Sequence, residues 1–344
     1  ELNVTILCHI LDQSLDDLVS YHKSGQMKRK IDGVYYTPPT LTDYICRNTI
    51  IPYLSKSNVN DVSELVLEYK NNIEELQEKI EKIKIIDPAC GSGAFLINAA
   101  QILLEITEAI KLTKDEEVEK RQIRQVLDIW QKEVETSKII KNNIFGVDIN
   151  RESVQITKLS LFLIMAKPGE KLTNLSQNII NGNSLIGDKN VAQKGFVWEE
   201  KFPEIMADGG FDIVIGNPPW QIVKPDIDEF FTPLKEMKSE LTIMFPNKNV
   251  RFSKLTKPVK NRLVEKCLNN PTIKSLYDQY LSTYKKERLY FSDPKNYSYQ
   301  TAVANKKSFN QIDINLYKIF IERSNQILKE NGIFGMIVPT GICS

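Results

Sequence analysis

Short apolar, β-branched runs alternate along this chain with longer segments in which apolar positions recur every three or four residues. The first kind reads as buried strands, the second as helices with one apolar face. Strands are predicted over Lys84–Asp87, Asn143–Asp148, Asn178–Gly182, Asp212–Ile215 and Gly332–Val338, and helices over Ala94–Ile110, Asp115–Thr136, Arg151–Ala166 and Asp313–Lys329. Upstream, the Glu- and Lys-rich stretch Asp61–Lys82 and the residue after it place Leu65, Tyr69, Ile73, Leu76, Ile80 and Ile83 at steps of four and three, the pattern of one amphipathic helix. Alternation of strand and helix calls for a parallel α/β sheet with helices on both faces, and such sheets bind ligands beyond the carboxyl ends of their strands. Three turns fall at those ends, Asp87–Gly93, Gly146–Asn150 and Asn217–Trp220, so they are expected to converge on one site.

Composition narrows the class. With 344 residues, 42% hydrophobic and 26% charged, the chain can bury a sizeable core. Its longest apolar stretch, Leu159–Ala166, is too short to span a bilayer, and its first residues lack a signal-peptide layout, so a cytoplasmic protein without a membrane partner is expected. Cys8, Cys46, Cys90, Cys267 and Cys343 lie far apart, and His9 and His22 are the only histidines, which supports neither a disulfide framework nor a metal site. The net charge of +1 conceals a basic region: Lys248–Lys307 holds 14 Lys plus Arg against 4 Asp plus Glu. Tyr277, Tyr280, Tyr284, Tyr290, Phe291, Tyr297 and Tyr299, with Phe309 just beyond, are interleaved there. Two readings stay open: cations and rings that meet nucleic acid, or an insertion whose rings pack on a core.

The turns differ in chemistry. In Asp87-Pro88-Ala89-Cys90-Gly91-Ser92-Gly93 the glycines let backbone approach a ligand at a helix start, where exposed N–H groups favour an anion. The run matches neither the P-loop nor the G-x-G-x-x-G pattern, which disfavours nucleoside triphosphates and dinucleotides. Asp148 ends a strand where an acid can accept both hydroxyls of a ribose, or simply cap a turn. In Asn217-Pro218-Pro219-Trp220 two prolines remove two donors in succession, so the segment offers a partner acceptors and few donors.

DPACGSGAFL, GVDIN, NGNSL and FDIVIGNPPW, in that order and preceded by GVYYTPPTLTDYI at Gly33–Ile45, resemble the motifs of S-adenosylmethionine-dependent adenine-N6 DNA methyltransferases of the gamma arrangement. The chain is similar to the methylase part of type IIG restriction-modification fusions and to related phage-defence methylases. That resemblance implies a Rossmann-like methyltransferase sheet, S-adenosylmethionine as cofactor and double-stranded DNA as partner. It implies that Asp87, Ala89, Gly91 and Gly93 line the cofactor's methionine part, that Tyr36, Thr37 and Pro38 close over its carboxylate end, that Asp148 and Ile149 hold the ribose and one adenine face, and that Asn183 reaches the adenine. Position 183 is commonly Asp in the family, and Asp87 and Asp148 stand 61 residues apart where a compact nucleotide fold has roughly 20. The chain then divides into an N-terminal helical segment, 1–82, a methyltransferase core, 83–223 with 310–344, and a basic aromatic insertion, 224–309. Five strands are readable where the family has seven, so a fragment of a longer chain is expected, with a nuclease or target-recognition part elsewhere.

The resemblance gives the acceptors a task. An adenine amine is a poor nucleophile because its lone pair is delocalised, and its N–H is too weak an acid for a side chain to remove. The Asn217 side-chain oxygen and the Pro218 carbonyl can each take one amine hydrogen and aim the lone pair at a methyl donor, while Pro219 stiffens the turn. Trp220 offers a face for an adenine swung out of the duplex. The same acceptors would suit an RNA base or a protein glutamine amide, and a cofactor-binding DNA sensor without activity is the non-enzymatic alternative.

Overall fold

The structure, a computed structural model, describes residues 37–115, 136–165, 174–246, 248–299 and 313–340. Tyr36, both histidines, Cys8, Cys343, Phe309 and the body of the helix expected over Asp115–Thr136 lie outside the described residues. In chain order the elements are α1 (Pro39–Leu54), α2 (Val62–Glu68), α3 (Ile73–Lys82), β1 (Ile85–Asp87), α4 (Ala94–Asp115), β2 (Ile144–Asp148), α5 (Arg151–Met165), β3 (Ile179–Asn181), α6 (Trp198–Lys201), α7 (Pro203–Ala207), β4 (Phe211–Gly216), α8 (Ile227–Phe231), α9 (Lys235–Met244), α10 (Lys257–Leu268), α11 (Pro271–Phe291), α12 (Leu316–Ile327) and β5 (Leu328–Met336). Of the described residues, those within 37–220 together with 320–340 form one compact unit, and those within 221–319 a second.

The first unit is built on a sheet of order β3-β2-β1-β4-β5. Every pairing is parallel: Ile85 lies beside Ile144 and Ile213, Gly146 beside Ile179, and Ile213 beside Ile333. Strand side chains alternate between faces. Ile85, Ile144, Ile213 and Ile215 point into a core shared with α1 to α5, whereas Ile86, Phe145, Val147, Phe211 and Val214 point the other way. The second layer is aromatic: Phe196, Trp198 and Phe202 meet Phe145 and Phe211 mostly edge to face, with ring centroids 4.9–6.1 Å apart. The expected parallel α/β sheet with helices on both faces is therefore present.

The amphipathic stretch Asp61–Lys82 is two helices, not one. Asp61 caps α2 by accepting from the Ser63 and Glu64 N–H groups, and the chain turns at Tyr69–Asn72 before α3 begins. Tyr69 is 1% exposed, and its hydroxyl donates to the Leu54 carbonyl at 2.6 Å, so the ring that continued the apolar pattern instead ties the turn to the end of α1. Two consecutive asparagines, poor helix formers, let the chain break there.

At the amino ends of the strands the polar groups are structural. Asn143 donates to the Ile80 and Ile83 carbonyls, and Asn178 to those of Lys141 and Ile144, at 2.7–3.0 Å. The Asp212 carboxylate, 5% exposed, accepts from the Tyr53 hydroxyl at 2.6 Å and the Lys84 N–H at 2.7 Å, with Lys329 Nζ at 3.4 Å. It thereby joins α1, the start of β1, β4 and β5.

In the second unit the aromatic residues are spent on packing. Phe230, Phe231, Tyr277, Tyr280 and Tyr284 form a chain of ring contacts at 4.9–5.1 Å, and Phe291 packs on Tyr290 and Tyr297 at 6.0 and 5.6 Å. Tyr299 is 65% exposed. Lys260 ion-pairs with Asp228 at 2.7 Å and lies over the buried Phe252 ring. Lys248, Arg251, Lys254, Lys257 and Arg262 are exposed and make no ion pair among the described residues. No described helix is long and apolar enough to cross a membrane, and no described cluster of His, Cys, Asp and Glu could hold a metal ion.

Asp212→Ala would strand the Tyr53 hydroxyl and the Lys84 N–H in a buried place. It should lower the unfolding free energy by about 3 kcal/mol in urea titration, with Asp212→Asn, which keeps an acceptor, costing less.

Candidate active site

The three turns converge because their strands are neighbours. β1 lies between β2 and β4, so the turns after Asp87, Asp148 and Gly216 open on one edge of the sheet. This is where the strand order reverses, the usual ligand position in open α/β sheets.

Hydrogen bonds stitch the turns together. Asp87, 1% exposed, accepts from the Ala89 N–H at 2.9 Å. The Cys90 N–H donates to the Val147 carbonyl at 3.0 Å, and the Gly91 N–H to Asp148 Oδ2 at 2.9 Å. Asp148 Oδ1 accepts from the Asn150 N–H at 2.7 Å, so the carboxylate bridges two turns. Thr157 Oγ1 donates to the Gly91 carbonyl at 2.7 Å, and Ser184 Oγ to that of Pro88 at 2.7 Å. Asn181 Nδ2 donates to the carbonyls of Asp148 and Ile149, both at 2.9 Å, and Lys194 Nζ to the Ile149 carbonyl at 2.8 Å. Sequence reasoning missed Thr157, Ser184, Asn181 and Lys194. Asn181 and Ser184 lie inside the NGNSL run, but nothing in its spacing separates them from Asn183.

Asn183 uses its side-chain oxygen locally, accepting from the Leu185 and Ile186 N–H groups at 3.1 and 3.2 Å. Two N–H donors require the oxygen on that side, so the NH2 faces the other way. The glycine-rich turn likewise consumes donors internally: the N–H groups of Ala89, Cys90, Gly91 and Gly93 all have protein acceptors. What remains for an anion is the first turn of α4, which contains no acidic residue.

The set fits a nucleoside carrying an amino-acid carboxylate. Gly91 takes φ +53°, and a Cβ there would meet nothing within 4 Å, which leaves open space beside the turn. Ile149 is 47% exposed and offers an apolar face, and a carboxylate such as Asp148 has about four lone-pair sites, more than two N–H groups use.

The Asn217 turn is held on three sides. Gly216 takes φ +154°, and a Cβ there would lie 2.6 Å from Asp87 Oδ1. The Gly216 carbonyl accepts from the Ile337 N–H at 3.1 Å, and Trp220 Nε1 donates to the Ile337 carbonyl at 3.3 Å. Asn217 Nδ2 donates to Thr37 Oγ1 at 3.1 Å, so Thr37, from the YYTPP run, lies against the NPPW turn. Among the described residues no donor meets Asn217 Oδ1 or the Pro218 carbonyl. Trp220, two residues after Pro218, is 47% exposed.

Burial pushes the Asp87 carboxyl up to about 8, assisted by the Asp148 charge and opposed by the Ala89 N–H. Burial also raises the Cys46 and Cys90 thiols, the latter far above its usual range, so neither is a nucleophile at neutral pH. Because the folded state raises Asp87 above its ordinary value, the stability contributed by the neutral carboxyl is whole below pH 3.8 and is lost as pH rises toward about 8. Asp87→Asn, which keeps the acceptor for Ala89 and cannot ionise, should gain stability relative to the parent across that window. Urea titrations of both proteins over a pH series check this, and a constant difference would refute it.

Residues 142–257 match the Eco57I restriction-modification methylase family, and residues 75–165 match an RMKL-like methyltransferase domain. The chain is 32% identical over 223 residues to a putative type II restriction enzyme and methyltransferase of Methanocaldococcus jannaschii, covering 56% of this chain and 17% of that protein. It is 26% identical over 355 aligned positions to the type II restriction enzyme and methyltransferase RM.Eco57I of Escherichia coli, covering 97% of this chain and 26% of that one. It is 27% identical over 190 residues to the adenine-specific methyltransferase PglX of Streptomyces coelicolor, covering 47% and 14%. The chain thus spans about a quarter or less of each relative's length. With family matches that together take in both the DPACGSG turn and the NPPW turn, the chain is similar to restriction-modification methylases and to adenine-specific methyltransferases.

Proposed function

We propose that this chain methylates the N6 amine of an adenine swung out of double-stranded DNA, using S-adenosylmethionine, within a restriction-modification or phage-defence system. The observation that carries the reading is the pair of acceptors, Asn217 Oδ1 and the Pro218 carbonyl, without donors among the described residues and followed two residues on by the exposed Trp220. The relatives' names supply the adenine and the restriction-modification setting.

S-adenosylmethionine supplies an electrophilic methyl group carried on a sulfonium. Asp148 would accept from its ribose hydroxyls, Ile149 would cover one face of its purine, and the first turn of α4 would receive its carboxylate. Asn183 would present its NH2, a donor suited to a ring nitrogen. Asn217 and Pro218 would each hold one hydrogen of the target amine, which turns the lone pair toward the methyl carbon. An amine nitrogen that took up that methyl group would carry a surplus proton, which would pass to water. Neutral acceptors suffice because their dipoles are already aimed when charge develops on the nitrogen. Trp220 would stack on the extruded base, replacing part of the stacking lost from the duplex.

The exposed cations of the second unit suit the DNA backbone. Residues 241–264 hold six Lys and Arg and no acid, and five of these cations are exposed without ion pairs among the described residues. With most rings of that unit packed against one another, this surface offers phosphate binding more than base stacking.

Asn217→Ala should lower methyl transfer to DNA by at least about 100-fold and leave cofactor affinity by calorimetry unchanged. Loss of both together would make Asn217 a structural residue, and transfer to RNA or peptide glutamine in place of DNA would redirect the substrate assignment. Replacing Lys248, Arg251, Lys254, Lys257 and Arg262 by Gln should weaken DNA binding alike for all sequences and reduce the slope of log K against log salt by about 0.9 for each phosphate that is no longer neutralised. An unchanged slope would remove the second unit from the DNA interface.

A further inference from the structure

Two residues that each precede a pair of prolines meet side chain to side chain. Thr37-Pro38-Pro39 leads into α1, Asn217-Pro218-Pro219 leaves β4, and Asn217 Nδ2 donates to Thr37 Oγ1 at 3.1 Å across 180 residues of sequence. A residue before proline is pushed out of the helical region toward extended backbone, and each proline fixes its own φ. Thr37 is also β-branched and 7% exposed, which restricts its rotamers. The hydrogen bond therefore joins two stiff anchors, and neither side chain has another partner among the described residues.

An asparagine amide fits almost equally well with its oxygen or its nitrogen outward. Oxygen outward gives an amine an acceptor. Nitrogen outward sets a donor against a donor. We infer that Thr37 is a positioning residue for methyl transfer: although its hydroxyl could meet either end of the amide, it takes the Asn217 NH2 when Oδ1 faces the target amine, and only that arrangement satisfies both ends of the amide at once. The inference rests on the reading of Asn217 as an acceptor for that amine. It departs from the role implied by the family resemblance, in which Thr37 closes over the carboxylate end of the cofactor.

The two roles separate in kinetics. Thr37→Val replaces the hydroxyl by a methyl of similar size, and Thr37→Ser restores it. On a DNA duplex substrate, Thr37→Val should lower kcat about five- to tenfold, the worth of one oriented hydrogen bond, while the cofactor Kd stays within about twofold and Thr37→Ser recovers most of the rate. In an Asn217→Asp background both outer atoms of residue 217 are acceptors and no orientation has to be chosen, so the same valine should cost about twofold or less. An unchanged or higher rate for Thr37→Val, a parallel loss of cofactor affinity, failure of serine to rescue, or an equal loss in the aspartate background would each overturn the inference. Should the valine variant unfold early in a thermal scan, the serine variant and the aspartate background decide. A parent protein that transfers no methyl to DNA adenine overturns the underlying reading, and the inference with it, before any variant is compared.

Discussion

The clearance between residue 216 and the Asp87 carboxyl sets the geometry of this site. β1 and β4 run side by side, and at their carboxyl ends the backbone of β4 passes so near Asp87 that any Cβ at position 216 would stand 2.6 Å from Oδ1. Glycine leaves that space free and takes a φ of +154° that side chains rarely adopt. The turn carrying the Asn217 acceptors and the turn carrying the glycine-rich loop can then share one wall. The buried Asp87, kept neutral up to about pH 8, forms that wall without placing a negative charge against the backbone.

Residue type alone does not say which polar groups serve the fold and which serve chemistry. Asn143, Asn178, Asn181, Asn183 and Asn217 all lie at strand ends. At the amino ends, Asn143 and Asn178 spend their NH2 groups on chain carbonyls that would otherwise be buried without donors. At the carboxyl ends, Asn181 braces the Asp148 turn from outside, and Asn183 closes its own turn. Among the five, Asn217 gives its NH2 to another side chain, the Thr37 hydroxyl, and not to a chain carbonyl. Position along the strand, together with what the amide NH2 holds, distinguishes scaffold from site.

Much of this was legible in the sequence. The five strands, their parallel pairing and the convergence of three turns follow from alternating apolar patterns and from where glycine and proline interrupt them. The break at Tyr69–Asn72 was not legible, because Tyr69 continues a helical apolar pattern whether its ring packs along a helix or turns to reach the Leu54 carbonyl. The fate of the basic region's aromatic residues was equally hidden. Tyrosine is compatible with stacking on a base and with packing on Phe230, and only the fold shows Tyr277 and Tyr280 taking the second course. Thr157 and Lys194 lay beyond sequence reasoning because each reaches the site from an element whose local pattern is unremarkable.

The contrast between Asp148 and Asn217 follows from the number of acceptors each place requires. Asp148 accepts two backbone N–H groups, from Gly91 and Asn150, and in the proposed complex would accept two hydroxyls as well. A carboxylate has about four lone-pair sites on two oxygens, whereas an amide has one oxygen and would present its NH2 to one of those N–H groups. Position 148 therefore calls for an acid, whose charge is offset by the donors that surround it. In the proposed complex position 217 would present one acceptor to the amine and one donor to Thr37, which an amide can do without adding a second charge near Asp87 and Asp148. Asparagine at 148 would have too few acceptors, whereas aspartate at 217 would still offer the amine an acceptor but would add a negative charge beside a carboxyl that burial already keeps neutral.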